Sequence, residues 1–369
     1  MAAPIRVLHI IDHLGSGGAQ EVVLDLARHL DPNRFEVEVW ALHGRGSYFE
    51  ELEALGISVR SLVNSKYNPW LPLGMWRALR AQTYDILHLH LSFSTLLGGF
   101  LGRLSGASRI VVTIHALRNQ SLPWVFPMWG VLSPLYTRFV AEVRRSVDEL
   151  RESGIPQEKI ALIILGTDKA RMGELVPTEP LDSLPAGEGP VLLNIARLHP
   201  HKGQRYMIDA MPKIVSEFPA ARLLLVGDGP QLSLLQRDVE RLGLQDSVLL
   251  LGFRRDLEAL YAGCDLFVMP SVREGMGLVT IQALAMGKPV VATDVGAISE
   301  AVIPGRTGLL VSPRDPDALA KACIRLLRDK DMSERFGKQG RAFVREHFAL
   351  ETMVDGYEKL YTSLCDSGG

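Results

Sequence analysis

The chain alternates short apolar segments with amphipathic ones, and the same order occurs once in each half. In the first half, IRVLHII (5–11) precedes the glycine turn GSGG (15–18) and the helical pattern AQEVVLDLARHL (19–30). In the second half, PVLLNIARL (190–198) precedes the loop HPHKG (199–203) and another helical pattern. Strand–helix alternation predicts parallel sheets that are covered by helices on both faces.

Further apolar segments continue this pattern in both halves. They are FEVEVWAL (35–42), SVRSL (58–62), DILHLHL (85–91), RIVVTIH (109–115), ARLLLVGDG (221–229), SVLLLGF (247–253), DLFVMPS (265–271) and PVVATD (289–294). The chain is therefore predicted to be an α/β protein with two Rossmann-like domains that face a cleft, because ligands bind such sheets beyond the carboxyl ends of the strands. The Pro/Gly-rich stretch 176–190 is the predicted boundary between a first domain, 1–175, and a second domain, 190–348.

Composition excludes several classes of protein. The 369 residues are 47% hydrophobic and 22% charged, so the chain can bury sizeable cores and is not intrinsically disordered. The net charge of −2 excludes a globally basic nucleic-acid binder. Three cysteines without metal-ligand spacing indicate a reducing cytosol. The start, MAAPIRVLHIIDHLG, lacks a basic region before its apolar run, so we expect no signal peptide or transmembrane helix.

Charge is unevenly distributed in the first half. Residues 60–145 hold ten Lys/Arg and two acidic residues, whereas residues 1–59 hold four basic and nine acidic residues. This asymmetry predicts a basic face on the first domain, or it reflects the runs of one sign that are common on helix surfaces.

A dinucleotide-dependent oxidoreductase is the first function to consider and is disfavoured. The stretch GSGGAQ places Gln20 where the G-x-G-x-x-G pattern needs its third glycine. No acidic residue ends the second predicted strand at 40–43, where a ribose-binding acid is expected.

Phosphate binding fits the two glycine loops better. Gly15, Gly17 and Gly18 place backbone N–H groups before a helix, which makes either an anion site or an ordinary strand–helix turn. Arg197 ends a strand and Lys202 follows in the next loop. Two cations at the carboxyl edge of a strand suit a diphosphate.

These motifs resemble the GT-B glycosyltransferases of the large retaining family four. The resemblance runs from about residue 5 to residue 361. It is carried by NIARLHPHKG (194–203), LLLVGDGP (223–230), the stretch 251–311, and ILHLHLSFS with IVVTIH in the first half. The block at 270–311 is the most specific of these motifs.

The resemblance places a sugar-donor site in REGMGLVTIQALA (273–285). It implies that Glu274 accepts hydrogen bonds from two hydroxyls of the donor sugar, while the glycines beside it admit the sugar and the β-phosphate. It also implies that the residue eight positions later binds the nucleotide ribose. That residue is Gln282, and an amide forfeits only the charge assistance, about 1 kcal/mol. The implied donor-binding residues are Gly15, Gly17, Gly18, Phe253, Arg254, Gly275, Met276, Gly277, Leu278 and Gln282.

The resemblance also implies the catalytic residues, which are His115, Arg197, Lys202 and Glu274. His115 would hydrogen-bond the donor sugar near its anomeric carbon, although a histidine at a strand end often has a structural role. Arg197 and Lys202 would stabilise the leaving diphosphate, so no metal ion or other cofactor is expected. His88 and His90 share one strand face and either reach the cleft or pack internally.

The sequence departs from the family pattern at five positions. Leu165 stands where Asn is usual, Ala116 and Ala196 replace glycines, Val143 replaces a common Ser, and Gln282 replaces the second acid. These departures leave the cation pair, His115 and Glu274 in place.

The acceptor side is less specific. SLPWVFPMWGVLSPLYT (121–137) has no charge, and KYNPWLPLG (66–74) has a similar character. Either segment is an apolar flap at an anionic membrane surface or an internal part of the first domain. The terminal segment 349–369 contains a helical pattern, and the resemblance implies that its helix crosses back to the first domain.

These observations together predict a retaining, metal-independent glycosyltransferase. Its partners would be a nucleotide-diphosphate sugar and a glycan or lipid-linked acceptor, and its location the cytoplasm or the inner membrane face. A catalytically silent nucleotide-sugar-binding subunit and a nucleotide-sugar epimerase of the same fold remain as alternatives.

Overall fold

The computed structural model describes residues 3–15, 17–63, 68–115, 125–168 and 189–366. The chain separates into two compact units. The first consists of Met1–Gly166 and Leu350–Gly369, and the second of Thr167–Ala349. Most of the predicted boundary stretch, 176–188, lies outside the described residues.

The first unit is built on a seven-stranded parallel sheet. Its strand order is β3-β2-β1-β4-β5-β6-β7, which reverses direction between β1 and β4. The strands are β1 (Ile5–Ile11), β2 (Phe35–His43), β3 (Ser58–Val63), β4 (Ile86–His90), β5 (Ile110–Ile114), β6 (Arg138–Ala141) and β7 (Ile160–Leu162). The point where strand order reverses is where doubly wound sheets bind ligands.

Helices cover both faces of this sheet. They are Gly18–His29, Ser47–Ala54, Leu71–Ala81, Ser92–Leu104, Val125–Leu132 and Arg144–Glu152, and the C-terminal helix Leu350–Asp366 joins them. Arg109 Nε anchors the C-terminal helix by donating to the carbonyl of Leu364 at 2.7 Å. Arg34 forms an ion pair with Glu358 of the same helix at 2.6 Å. The C-terminal helix thus returns to the first unit, as the resemblance implies.

The second unit repeats the architecture with six parallel strands. The order is β10-β9-β8-β11-β12-β13, and the reversal lies between β8 and β11. The strands are β8 (Val191–Ile195), β9 (Arg222–Val226), β10 (Val248–Gly252), β11 (Leu266–Met269), β12 (Val290–Thr293) and β13 (Gly308–Val311). The helices are Gln204–Glu217, Leu232–Arg241, Leu257–Gly263, Leu278–Ala285, Ile298–Ala301, Pro316–Arg328 and Lys330–His347.

Each unit has its own apolar core, as a Rossmann-like domain requires. In the second unit, Leu192, Leu223 and Leu225 of adjacent strands pack with Met211 and Phe336, and all five are buried. Every strand of either sheet pairs in parallel. The predicted fold class is therefore confirmed.

The apolar segments of the first unit have two different environments. Trp129 is buried and packs edge-on against Tyr136, with 6.3 Å between the ring centroids, whereas Val131 of the same segment is 78% exposed. Trp70 is 70% exposed. Residues 66–67 and 121–124 of the two predicted flap segments lie outside the described residues. Across the described ranges, no helix combines the length and the apolar character needed to cross a bilayer.

Candidate active site

The predicted diphosphate-binding cations and the predicted sugar-binding acid come from two adjacent strands of the second unit. Arg197 follows β8, and Lys202 ends the short 3-10 turn Pro200–Lys202. Glu274 lies in the loop after β11, which pairs with β8. Because both strands end at the same sheet edge, the loops meet where the strand order reverses.

A left-handed glycine fixes the loop that carries Lys202. Gly203 has φ 71° and begins the helix Gln204–Glu217. A Cβ atom here would lie 2.0 Å from the carbonyl oxygen of Pro270, so only glycine allows this close approach to the loop of Glu274. The backbone N–H of Val272 also donates to the carbonyl of His201, at 2.8 Å. The two loops are therefore joined directly through their backbones.

Lys202 and Glu274 form an ion pair at the junction of these loops. Lys202 Nζ lies 2.5 Å from Glu274 Oε2, and only 7% of the glutamate side chain is exposed. The hydroxyl of Ser271 donates to the same oxygen at 3.1 Å, and the N–H of Gly275 donates to Oε1 at 3.2 Å. The carboxylate is thus held by one charged donor and two neutral donors.

These contacts decide the protonation state of Glu274. Burial pushes the pKa of the carboxyl up, but the charge of Lys202 and the hydrogen bonds from Lys202, Ser271 and Gly275 outweigh it. The net result is a pKa below the ordinary value. Glu274 is therefore an ionised acceptor at neutral pH, which is the form that can accept hydrogen bonds from sugar hydroxyls.

Arg197 differs from Lys202 in having an exposed side chain. It makes no hydrogen bond or ion pair with any residue that the structure describes, while its carbonyl accepts from Gln204 Nε2 at 3.0 Å. Burial, followed by the charge of Lys202, lowers the pKa of the nearby His201 to about 4. His201 is therefore neutral at pH 7 and adds no charge to that of Arg197 and Lys202.

Residues 275–278, which are predicted to bind the donor, lead from Glu274 into the helix Leu278–Ala285. Gly277 has φ 70°, which favours glycine, and is the residue before the first helical position. Met276 and Leu278 are buried and anchor this loop in the second unit. The N-terminus of the helix therefore opens close to the carboxylate of Glu274.

Gln282, the predicted ribose-binding residue, is buried in the second unit. It is only 1% exposed, and its Oε1 accepts a hydrogen bond from the Tyr261 hydroxyl at 3.2 Å. The same hydroxyl lies 3.0 Å from the carbonyl of Val279. The amide oxygen is thus turned towards the protein interior.

Phe253 and Arg254 follow β10, the edge strand of the sheet. Phe253 is 46% exposed. Arg254 makes a bidentate ion pair with Asp256, at 2.8 and 2.5 Å, and their hydrogen bond raises the pKa of the guanidinium and lowers that of the carboxyl. Binding of a nucleotide phosphate by Arg254 would compete with this ion pair.

The glycine turn of the first unit is described except for residue 16. The N–H of Gly15 is directed at His13 Nδ1, 3.2 Å away, and is therefore occupied. Gly17 adjoins the side chain of Gln20, and Gly18 begins the helix Gly18–His29. The N–H groups of the first helical turn, beginning with Gly18, are the remaining candidates for anion binding.

His115 has both ring nitrogens engaged within the first unit. Nδ1 lies 3.0 Å from Glu142 Oε2, and Nε2 lies 3.0 Å from His90 Nδ1. His88 and His90 are fully buried, so of the two alternatives for them the structure favours internal packing. A hydrogen bond from His115 to a sugar would replace one of its two present contacts.

Two residues of these sites were missed in the sequence. Ser271, which holds Glu274, carries a weak signal because it is the last residue of a predicted strand, three positions before the acid. Glu142 gives no such signal, because it lies 27 positions from His115 and meets it only through the pairing of β5 with β6.

Comparison with known proteins agrees with this arrangement. A family model described as "Glycosyltransferase Family 4" matches residues 16–171, and one described as "Glycosyl transferases group 1" matches residues 189–329. The chain is 30% identical over 272 residues to a GDP-mannose-dependent alpha-(1-6)-phosphatidylinositol monomannoside mannosyltransferase of Mycobacterium tuberculosis, covering 68% of this chain and 69% of that protein. It is 28% identical to the N-acetyl-alpha-D-glucosaminyl L-malate synthase of Bacillus anthracis, covering 85% and 83% of the two chains.

Solved structures show the same fold. HepE of Anabaena, in complex with UDP-glucose, superposes with a TM-score of 0.86 at 23% identity, covering 97% of this chain and all of that one. Sucrose-phosphate synthase from Thermosynechococcus elongatus gives a TM-score of 0.81 at 23% identity, covering 98% and 100%.

The protein has two Rossmann-like units, which is the arrangement of a GT-B protein. In the second unit, cations and a carboxylate lie where the strand order reverses. The chain belongs to the group 1 glycosyltransferase family and is a glycosyltransferase. The predicted family and enzyme class are confirmed.

Proposed function

We propose that the protein is a retaining glycosyltransferase that transfers a sugar from a nucleotide-diphosphate sugar to a glycan or lipid-linked acceptor. Its product would be part of a surface polysaccharide or glycolipid. The observation that carries this proposal is the convergence of Arg197, Lys202 and the ionised Glu274 at one sheet edge. Cations suit the diphosphate, and the carboxylate suits the sugar hydroxyls.

The names of relatives support both substrate classes. The mycobacterial relative uses GDP-mannose and acts on a phosphatidylinositol mannoside, by its name. An Escherichia coli relative, 25% identical over 79% of this chain, is named as a transferase of galactose from UDP-Gal to a sugar on diphosphoundecaprenol. A nucleotide-diphosphate sugar and a lipid-linked acceptor are common to both.

In the proposed reaction, the bond between the anomeric carbon and the β-phosphate oxygen breaks as the acceptor oxygen attacks on the same face. The acceptor proton passes to the leaving phosphate. Arg197 and Lys202 stabilise the negative charge that develops on the diphosphate, a task that a divalent cation performs in other transferases. Glu274 holds the sugar in register through its hydroxyls.

A screen for thermal stabilisation tests the donor first. UDP, GDP and ADP and their sugars are compared, because a ligand at 100 times its dissociation constant adds about 2.7 kcal/mol to the stability of the folded state. Transfer is then measured with the stabilising donor and a lipid-linked acceptor. Epimerisation of the donor in the absence of an acceptor would indicate a nucleotide-sugar epimerase. Donor binding without any turnover would indicate a catalytically silent subunit.

Removal of both cations tests the site itself. Arg197→Ala with Lys202→Ala is expected to lower turnover by about 100-fold or more. The matched control is Lys213→Ala with Arg328→Ala, which removes the same charge from the exposed surface of the same unit. A cation-site variant with near wild-type turnover and nucleotide affinity would show that the diphosphate binds elsewhere.

We also propose that the first unit docks on an anionic membrane surface at the cytoplasmic face. Phe93, Phe100 and Leu104 are 42%, 61% and 61% exposed, and their spacing puts them on one face of the helix Ser92–Leu104. The adjacent helix Leu71–Ala81 carries exposed Arg77 and Arg80. An apolar stripe beside basic side chains suits an interface of anionic lipid.

A further inference from the structure

Three buried histidines form a cluster at the centre of the first unit. His9 lies on β1, and His88 and His90 lie on the adjacent β4. None of the three has any exposed surface, and one ring nitrogen from each lies within 4.8 Å of those from the others. We call these three residues the histidine cluster. Their proximity suggests a metal site at first sight.

Hydrogen bonding argues against a metal ion in the cluster. His88 uses both nitrogens, with Tyr361 at 2.6 Å and Thr113 at 2.7 Å. His90 also uses both nitrogens. Its Nε2 lies 2.9 Å from His9 Nδ1, and its Nδ1 lies 3.0 Å from His115 Nε2. Of the six ring nitrogens in the cluster, only His9 Nε2 has no hydrogen-bond partner among the described residues. A metal ion would have to displace these hydrogen bonds.

The same contacts define a continuous chain of hydrogen bonds instead. It runs from Glu142 Oε2 to His115 Nδ1 at 3.0 Å, from His115 Nε2 to His90 Nδ1 at 3.0 Å, and from His90 Nε2 to His9 Nδ1 at 2.9 Å. The Glu142 carboxylate is buried, and its Oε1 has no hydrogen-bond partner among the described residues. The main hydrogen-bond partner of this buried carboxylate is therefore His115.

The carboxylate gives this chain a direction. A carboxylate accepts, so a neutral His115 ring that donates to it from Nδ1 has its lone pair on Nε2. His90 must then donate from Nδ1, and its own lone pair on Nε2 accepts from His9 Nδ1. Burial lowers the pKa of His9 to about 3 and that of His90 well below its ordinary value, so these two rings are neutral and each has one proton to place.

We propose that Glu142 and His90 are positioning residues that hold the His115 ring in the tautomer with its proton on Nδ1 and its lone pair on Nε2. The ring is fixed from two sides, and its hydrogen-bonding character towards a ligand is set before the ligand arrives. A ligand group that replaces His90 at Nε2 meets an acceptor. A hydroxyl of the donor sugar is such a group, since a hydroxyl can donate.

This role rests on the proposed function, because it gives His115 its task at the donor sugar. The tautomer can be measured without any turnover. A failure of the transferase assignment and a failure of the positioning assignment are therefore distinguishable.

The first measurement uses the unmodified protein labelled with ¹⁵N-histidine. Long-range ¹H–¹⁵N correlation spectra separate a protonated ring nitrogen from one with a lone pair. We expect His115, His90 and His9 each to carry the proton on Nδ1 at pH 7.5. A His115 ring with its proton on Nε2 would overturn the proposal. Stoichiometric zinc in the purified protein would also overturn it, because zinc takes the lone pairs that this chain uses.

The second measurement uses Glu142→Gln. An amide can donate as well as accept, so the constraint on His115 is lost, and we expect the Nε2-protonated form to become populated. Turnover at saturating donor should fall by about 10-fold or more, with a smaller change in KM. The matched control is Glu38→Gln, another buried carboxylate of the same sheet, which accepts from Trp40 and Tyr84. Equal turnover losses in the two variants, with the His115 tautomer unchanged in both, would reduce Glu142 to a structural role.

Discussion

The ion pair between Lys202 and Glu274 makes two predicted functions interdependent. The cation would serve the leaving diphosphate and the carboxylate the donor sugar, yet the two groups are 2.5 Å apart. Their gross attraction is about 7 kcal/mol at an effective dielectric constant of about 20. Desolvation of both groups offsets most of this, so the net value must be measured with a double-mutant cycle.

The cycle combines Lys202→Met with Glu274→Gln. Lys202→Met leaves a buried carboxylate with only the Ser271 and Gly275 donors and should lower the free energy of unfolding by about 3 kcal/mol. Glu274→Gln leaves a lysine that can still reach solvent, and should cost about 1–2 kcal/mol. The double variant leaves no uncompensated charge, so we expect a coupling energy of about 2 kcal/mol.

The assay is urea unfolding followed by far-UV circular dichroism. All five tryptophans lie between residues 40 and 129, so tryptophan fluorescence reports the first unit and provides an internal control. Additivity of the two single variants within about 0.5 kcal/mol would refute the reasoning. A change in the fluorescence transition equal to that seen by circular dichroism would place the effect outside the second unit.

The pH dependence gives the same cycle a second readout. In the wild type, the lowered pKa of Glu274 contributes stability that is present above the unfolded-state pKa and is lost as the pH falls. In Lys202→Met, burial is no longer outweighed, so the pKa of Glu274 should rise above its unfolded-state value. The difference in stability between wild type and variant should therefore shrink as the pH falls from 7 to 5.

Three further predictions concern other parts of the molecule. Gln282→Glu should lower the free energy of unfolding by about 1–3 kcal/mol, because the new carboxylate is buried; an unchanged urea midpoint would contradict this. Wild type should sediment with anionic vesicles at low salt but not with neutral vesicles, and changing Phe93, Phe100 and Leu104 to Ser should abolish this sedimentation. Retained binding in the variant would show that these three side chains do not form the membrane-binding surface. The three histidines of the cluster have pKa values below that of unfolded histidine, about 6.5. The free energy of unfolding should therefore fall by about 1 kcal/mol per histidine from pH 7 to 5.5. His88→Gln should remove about a third of this loss. An identical pH dependence in that variant would contradict the buried, neutral state.

The sequence predicts the positions of the longer strands because their apolar runs are bounded by turn residues. β6, β7 and β13, which have four, three and four residues, were missed. Length alone is not the reason, because β11 and β12 also have four residues and were predicted. The edge location of Arg197, Lys202 and Glu274 could be predicted, because parallel strands place the loops after them on one side of a sheet.

Side-chain contacts across long sequence separations could not be predicted in the same way. Lys202 and Glu274 are 72 positions apart, and nothing in either local motif states that they touch. The exposed stripe of the helix Ser92–Leu104 was missed because an apolar helical segment is more often buried, and only packing shows which face is left open. His115 was assigned from its motif, whereas its two internal partners emerge only from the sheet.

The amide at position 282 now has a physical explanation. Glu274 is buried and stays ionised because Lys202 and two further donors compensate its charge. Gln282 is even less exposed, and its oxygen accepts from the neutral hydroxyl of Tyr261. A carboxylate in that position would need a counter-charge, whereas an amide needs only hydrogen-bond partners. The departure from a second acid therefore suits a side chain that faces the interior of the unit.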